Sequence, residues 1–252
     1  MDCNVFRQIE KVYHYTSLFS AVQILSSNEL KFGELQKMND FQEAYHRAWF
    51  AEKEEITIED IKAVDRELSK YKQLSFTKDK APHEGFNISA MWGHYAENGY
   101  GVCLVFDKRR LIEGLEKGII YRDVVYHKSR SENILIPNKQ DISGSIEKQR
   151  NVIFFRKTRD WSYEQEWRMV VRSESEKYLP IENSLVAVIV NFVKDIDSNE
   201  SIFNSKSVRL LSEIAHGLPI LSYGLWCGKA NLCDGAGNEW SKQENWQLDD
   251  GQ

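Results

Sequence analysis

Val12-Tyr13-His14-Tyr15-Thr16-Ser17-Leu18-Phe19-Ser20-Ala21-Val22-Gln23-Ile24-Leu25 changes its period once, at Ser17. Val12–Thr16 is aromatic and β-branched, the composition of a strand. Leu18, Ala21, Val22 and Leu25 then recur at i, i+3, i+4, i+7, the spacing of one helix face. Thr16 or Ser17 supplies a capping hydroxyl, and Asn28 suits a left-handed stop. Outward from this switch, Leu30-Lys31-Phe32 reads as a short strand. Asp40 with Glu43 resembles a capping box, and Ile61, Val64, Leu68 and Tyr71 mark another amphipathic helix.

Gln73–Thr77 predicts a strand with Leu74 and Phe76 on one side and Ser75 and Thr77 on the other. Val102–Phe106 is apolar throughout, as in a central strand. Ile119–Tyr126, Arg168–Arg172, Leu185–Val190 and Leu218–Trp226 complete the expected strands, and Lys78–Asn87, Lys128–Gly144 and Asn191–Ser205 the loops. Strands dominate and helices cluster early, so the class is α+β, with a mixed or antiparallel β core and helices packed around it. With four prolines and no Gly/Ser-rich linker, the 252 residues read as a single domain.

Composition narrows the function. The net charge of −5 argues against a non-specific DNA coat. No apolar run is long enough to span a membrane, and the opening residues are not those of a signal peptide. The four cysteines form no C-x-x-C pair, so a cytoplasmic protein without a metal site is expected. No Gly-x-Gly-x-x-Gly or Walker loop is present.

Polar side chains on apolar strands are the candidates for chemistry. His14 and Thr16 share a strand face; alone, His14 is more simply a core-edge histidine. Ser75 and Thr77 share another face and alone are unremarkable. In Trp161-Ser162-Tyr163-Glu164-Gln165-Glu166-Trp167-Arg168, a period of two puts Glu164, Glu166 and Arg168 together. Two adjacent carboxylates repel, so one is expected to have a raised pKa unless a cation relieves it. The plain alternative is a surface strand whose glutamates pair with Arg168 or Lys157. Met91-Trp92-Gly93-His94-Tyr95 offers Tyr95 as a further contact. Histidine, hydroxyls and glutamate on separate strands suit cleavage of a glycosidic bond at a nicotinamide ribose, the glutamate steadying an oxocarbenium-like transition state.

Val12-Tyr13-His14-Tyr15-Thr16-Ser17, Leu30, Phe32 and Met38-Asn39-Asp40 resemble the opening of the bacterial family catalogued as domain of unknown function 2971. Leu74-Ser75-Phe76-Thr77, Met91–Tyr95 with Gly101–Asp107, and Trp161-x-Tyr163-Glu164-x-Glu166-Trp167-Arg168 are similar to its later motifs. The resemblance runs from about Val12 to Val171. That family looks like a branch of the ADP-ribosyltransferase superfamily, in its DNA- and RNA-modifying toxin-like part. The resemblance implies a core over about 10–190 and a C-terminal extension over about 191–252. It implies NAD as substrate, with His14 on the ribose, Ser75 and Thr77 lining the nicotinamide pocket, Tyr15, Thr16 or Tyr95 among the cofactor contacts, and Glu166 as the catalytic carboxylate. Glu164 would help the acceptor. Two departures stand: the hydroxyl motif reads Ser-Phe-Thr rather than Ser-Thr-Ser, and either Tyr15 or Tyr95 matches the stacking tyrosine.

The expected activity is thus an NAD-dependent ADP-ribosyltransferase of toxin or phage-defence type, with an antitoxin or other protein as partner. RNA or single-stranded DNA is slightly preferred over protein as acceptor, with Arg156, Lys157 and Arg159 available for phosphates; a solvated helix end is the slightly better reading of those three cations. The alternative is a non-catalytic nucleotide- or partner-binding module on the same fold, and an RNA 2′-phosphate transferase ranks below both. Convergence of His14, Glu164 and Glu166 on one cleft discriminates. Glu166→Gln is expected to abolish turnover in a folded protein.

Overall fold

The computed structural model describes residues 2–38, 48–50, 56–81, 83–128, 134–191, 205–226 and 229–241. In chain order the strands are β1 Lys11–Thr16, β2 Glu29–Lys31, β3 Gly33–Glu34, β4 Ala48–Phe50, β5 Tyr71–Lys78, β6 Val102–Asp107, β7 Ile120–Asp123, β8 Val125–His127, β9 Ile134–Ile136, β10 Arg156–Thr158, β11 Glu166–Arg172, β12 Tyr178–Pro180, β13 Leu185–Asn191, β14 Ile220–Trp226 and β15 Lys229–Cys233. Nine of them form one sheet in the order β15-β14-β13-β6-β1-β5-β11-β7, with β3 pairing β5. Every pair in that sheet is antiparallel except β13 with β14. The protein is α+β, with a large mixed, mostly antiparallel sheet.

The helix after β1 follows the sequence closely. It spans Leu18–Ser27, Ser17 accepts from the Ser20 backbone N–H, and Asn28 closes it in the left-handed region at φ 55°. Elsewhere tertiary context changes the expected elements. The helix Ile58–Leu68 stops before Tyr71, which starts β5 instead. Val124 interrupts the expected strand 119–126 and is buried between β7 and β8. The loop expected at Lys128–Gly144 contains β9 and the start of the helix Ile142–Phe154. Helices are spread along the chain rather than clustered early, with Lys108–Glu113, Ile142–Phe154 and Lys206–Ile214 all in its later part. The Asp40–Glu43 capping box and most of the loop Asn191–Ser205 lie outside the described residues.

The sheet carries apolar side chains on both faces. One face holds Val12, Leu74, Phe76, Leu104, Phe106, Trp167 and Met169 in a single cluster. On the other face the apolar surface is divided. Tyr13, Tyr15, Cys103, Val105 and Ile189 pack around Trp92, whereas Tyr71 and Val170 pack with Phe154 and Ile146. Between these two clusters lies a polar stripe. Opposed residues on paired strands project to the same side, and the register sets Thr77 against Glu166, Ser75 against Arg168 and Gln73 against Val170.

The sheet is also split at this point. β1 pairs with β5 only through Val12–Lys78 and Tyr13–Thr77. Further along the same edge of β5, β3 takes over at Gln73 and Lys72. The edge between those two pairings is where the cleft opens.

Gly101 joins the helix Ser89–Tyr95 to β6 and is pressed onto the end of β1. A Cβ there would lie 2.3 Å from the Thr16 carbonyl oxygen and 2.9 Å from the Ala96 backbone. Backbone atoms cannot swing aside, so Gly101→Ala is expected to destabilise by about 1–3 kcal/mol. The measurement is a lower urea midpoint at unchanged slope; a midpoint equal to wild type would show that this junction is loose.

Candidate active site

Residues from five separated stretches line a cleft of about 270 Å³ at the split: His14 from β1, Ser75 and Thr77 from β5, Tyr95, Lys157, and the pair Glu164 and Glu166. His14, Glu164 and Glu166 therefore meet in one cleft, the arrangement that the sequence posed as its discriminating feature.

The glutamates reach it by a route that strand periodicity does not anticipate. Residues 159–164 form a 3-10 helix, Gln165 adopts φ 48°, and β11 begins only at Glu166. Glu164 is thus not on the strand. The left-handed turn at Gln165 aims both carboxylates at the same ammonium group. Lys157 Nζ donates to Glu164 Oε2 at 2.6 Å and lies 3.0 Å from Glu166 Oε2. The side chain is buried beside them and sits over the Trp161 ring at 5.3 Å. Lys157 is on β10, paired in parallel with Tyr126 of β8. The expectation that it meets nucleic-acid phosphates is corrected, because it is committed to two carboxylates in the interior.

Glu166 is the most heavily engaged group. Arg168 grips it with Nε on Oε1 at 2.6 Å and Nη2 on Oε2 at 2.9 Å, while Nη1 donates to the Phe154 carbonyl at 2.6 Å. Ser75 contributes a hydrogen bond as well. Burial opposes the charge more strongly than any single neighbour favours it, but Arg168 and Lys157 together outweigh burial and hold Glu166 well below the usual carboxylate range. Glu164 shifts the other way. Burial raises its pKa, the adjacent Glu166 raises it further, and Lys157 and the Tyr95 hydroxyl offset only part of this. Tyr95 donates to Glu164 Oε1 at 2.6 Å. Two neighbouring carboxylates with pKa values driven apart are the usual signature of divided acid–base roles.

His14 stands in the split, 5.8 Å from the Phe76 ring centroid, with Nδ1 at 3.1 Å from the Ser75 carbonyl oxygen. Burial lowers its pKa, partly offset by that hydrogen bond. A neutral ring that donates from Nδ1 to a carbonyl leaves Nε2 as an acceptor. His14 is therefore suited to accept a hydrogen bond from a hydroxyl group.

The other expected contacts divide. Tyr95 is in the cleft. Tyr15 borders it, but its ring packs edge-on to Trp92 and its hydroxyl donates to the Gly85 carbonyl at 2.7 Å, an anchoring role. Thr16 is buried opposite Val102 and does not line the cleft. Ser75 and Thr77 do line it, on the same face as Glu166.

Gln73 lines the cleft but was not among the candidates the sequence offered, and Lys157 entered there only as a pairing partner of the glutamates or a phosphate contact. Lys157 carried a weak signal, as one of three cations between Phe154-Phe155 and Trp161. Gln73 carried one too, as the first member of an alternating Gln-Ser-Thr stripe in an otherwise aromatic and aliphatic strand.

Residues 91–169 match a family described as Protein of unknown function (DUF2971). The match covers less than half of the chain, and a narrower span than the Val12–Val171 resemblance. It includes Tyr95, Lys157, Glu164 and Glu166 but not His14, Ser75 or Thr77. No curated protein and no solved structure matches the chain. Among the described residues no helix is long and apolar enough to cross a membrane, and no group of three or more His, Cys, Asp or Glu side chains is placed to hold a metal ion.

Proposed function

We propose that the protein is an NAD-dependent ADP-ribosyltransferase whose active site is the cleft at the β1–β5 split. The observation that carries this is the meeting there of His14, Ser75, Thr77, Tyr95, Glu164 and Glu166 from separate parts of the chain. A volume of about 270 Å³ is near the lower end of ligand pockets, roughly 300 Å³, and suits the nicotinamide–ribose half of NAD. The remainder extends toward the mouth, where Lys31 and Lys37 lie.

In this reading the ribose hydroxyls donate to His14 Nε2 and to Glu166, the latter in place of the Ser75 hydroxyl. The C1′–N1 bond breaks with its electron pair passing to the nicotinamide nitrogen, which becomes neutral. Positive charge then spreads over C1′ and the ring oxygen, beside the fixed charge of Glu166. An acceptor oxygen or nitrogen bonds to C1′ and passes its proton to ionised Glu164, whose raised pKa suits it to that task. The acceptor proposed is RNA or single-stranded DNA, in keeping with the toxin-like resemblance.

One observation favours a non-catalytic binding module instead. Arg168, Lys157 and Ser75 already occupy the lone pairs of Glu166, as a purely structural ion network would. The test is nicotinamide release from NAD by the purified protein, with and without RNA, single-stranded DNA and cell extract, beside Glu164→Gln. Release that falls about 10²-fold or more in Glu164→Gln, in a variant that melting curves show to be folded, is the expected result. NAD binding without release under any condition would favour the binding module. Absence of NAD binding would overturn the transferase and leave the binding module only for another nucleotide or a partner.

A further inference from the structure

We propose that Gln73 reads the carboxamide of the bound nicotinamide and so sets the selectivity of the cleft for an amide over an acid; this rests on the NAD reading above. Gln73 is on β5, on the same face as Ser75 and Thr77, opposite Val170 of β11 and Gly33 of β3. It lines the cleft and is only 3% exposed. Its Oε1 has no hydrogen-bond partner among the described residues. Its Nε2 donates to the thioether sulfur of Met38 at 2.8 Å, a weak acceptor. Thr77 Oγ1, in the same cleft and 1% exposed, also lacks a partner among the described residues. Buried polar atoms of this kind are normally satisfied, and both orphans border the cleft that holds Glu164 and Glu166.

A primary amide presents an acceptor beside a donor. Its complement is a group with a donor beside an acceptor. Two parts of NAD offer that: the nicotinamide carboxamide and the N6/N7 edge of adenine, which glutamine pairs with in nucleic acids. Position selects between them. Register sets Glu166 against Thr77 and Arg168 against Ser75; Arg168 holds both oxygens of Glu166, so the carboxylate leans toward Ser75, and in the NAD reading the reacting carbon would lie above Ser75. A rise of about 3.3 Å per residue puts Gln73 roughly 7 Å further along the strand. Summed bond lengths put the carboxamide carbon about 5 Å from C1′, within reach of the Gln73 side chain. Adenine lies beyond two riboses and a pyrophosphate, far outside it. On binding, the carboxamide N–H would donate to Gln73 Oε1, and Gln73 Nε2 would exchange the Met38 sulfur for the carboxamide oxygen.

The experiment is calorimetric titration of wild type and Gln73→Met with three dinucleotides: NAD, its nicotinic acid analogue, and its hypoxanthine analogue. Methionine matches glutamine in length and removes both polar atoms. Wild type is expected to prefer NAD over the acid analogue by about tenfold or more. Gln73→Met is expected to lose that preference and to keep the wild-type ratio for the hypoxanthine analogue. A preference for NAD over the acid that survives in Gln73→Met overturns the proposal while leaving NAD as the substrate. Loss of the hypoxanthine discrimination instead would place adenine at Gln73 and overturn it equally. Wild type that binds none of the three sinks the NAD reading and this proposal together. Melting curves establish that the variant is folded. Should Gln73→Met not fold, Gln73→Glu, which loses the donor and adds charge, must widen the preference against the acid analogue; an unchanged ratio overturns the proposal.

Discussion

Glu166→Gln is expected to destabilise the fold by about 3–5 kcal/mol, because it leaves one partner of a buried ion pair without the other. Arg168 is 1% exposed, and two of its N–H groups are spent on the two oxygens of Glu166. Glutamine offers one acceptor where two were used, and turns an N–H₂ toward a guanidinium or an ammonium group. At about 2–4 °C per kcal/mol for a chain of this size, the melting temperature should fall by about 6–20 °C. This revises the sequence expectation that the variant stays intact, so lost turnover in Glu166→Gln alone is not proof of catalysis. The double variant Glu166→Gln/Arg168→Met removes both charges and should recover much of the loss. The acid limb gives a second check. A carboxylate held below its ordinary value of 4.5 stabilises the fold above that pH, and the contribution fades as pH falls. Glu166→Gln should flatten that fall below pH about 4.5. A variant with wild-type melting and a wild-type acid limb would falsify the structural role of this pair.

Lys157→Met is expected to destabilise by a similar amount at neutral pH, about 3–5 kcal/mol, but with the opposite dependence on pH. Its ammonium group separates two carboxylates, at 2.6 and 3.0 Å. Arg168 remains to hold Glu166, so the uncompensated charge falls on Glu164. The pKa of Glu164 is already raised by burial and by Glu166, and loss of Lys157 raises it further. A folded-state pKa above the unfolded value means that the folded form keeps a proton the unfolded form releases. That stabilisation is complete below the unfolded value and is lost as pH rises through the folded one. The deficit of Lys157→Met relative to wild type should therefore shrink as pH falls from neutral toward the ordinary carboxylate value of 4.5. Chemical denaturation at several pH values measures it, and a deficit constant across that range would mean that Glu164 does not take up the charge.

The parts of this protein that depend on near neighbours were legible in the sequence. Ser17 caps and Asn28 ends the helix Leu18–Ser27 through contacts a few residues long. β1, β5, β6 and β13 follow from composition, because nearly all their side chains are buried on both faces. Errors arose where a distant contact overrode the local pattern. Tyr71 continues a helical spacing yet belongs to β5, where its hydroxyl reaches Glu147 and its ring meets Phe154. Glu164 fits a strand period yet ends a 3-10 helix, since one left-handed residue, Gln165, lets both carboxylates face Lys157.

The sequence by itself determined the class of the fold, most of its strands, and the residue types from which a site can be made. It also determined that two adjacent glutamates would need a cation or a raised pKa, because that follows from charge alone. Only the tertiary structure decided where the cleft opens, and it did so by ending the β1–β5 pairing after Tyr13 and seating β3 on the same edge. Only the tertiary structure turned Lys157 from a surface cation into the bridge between the glutamates, and Gln73 from a strand residue into an unsatisfied amide beside them. The reason is physical: pairing register and the burial of a charge depend on partners tens of residues away, and no local period encodes which partner arrives.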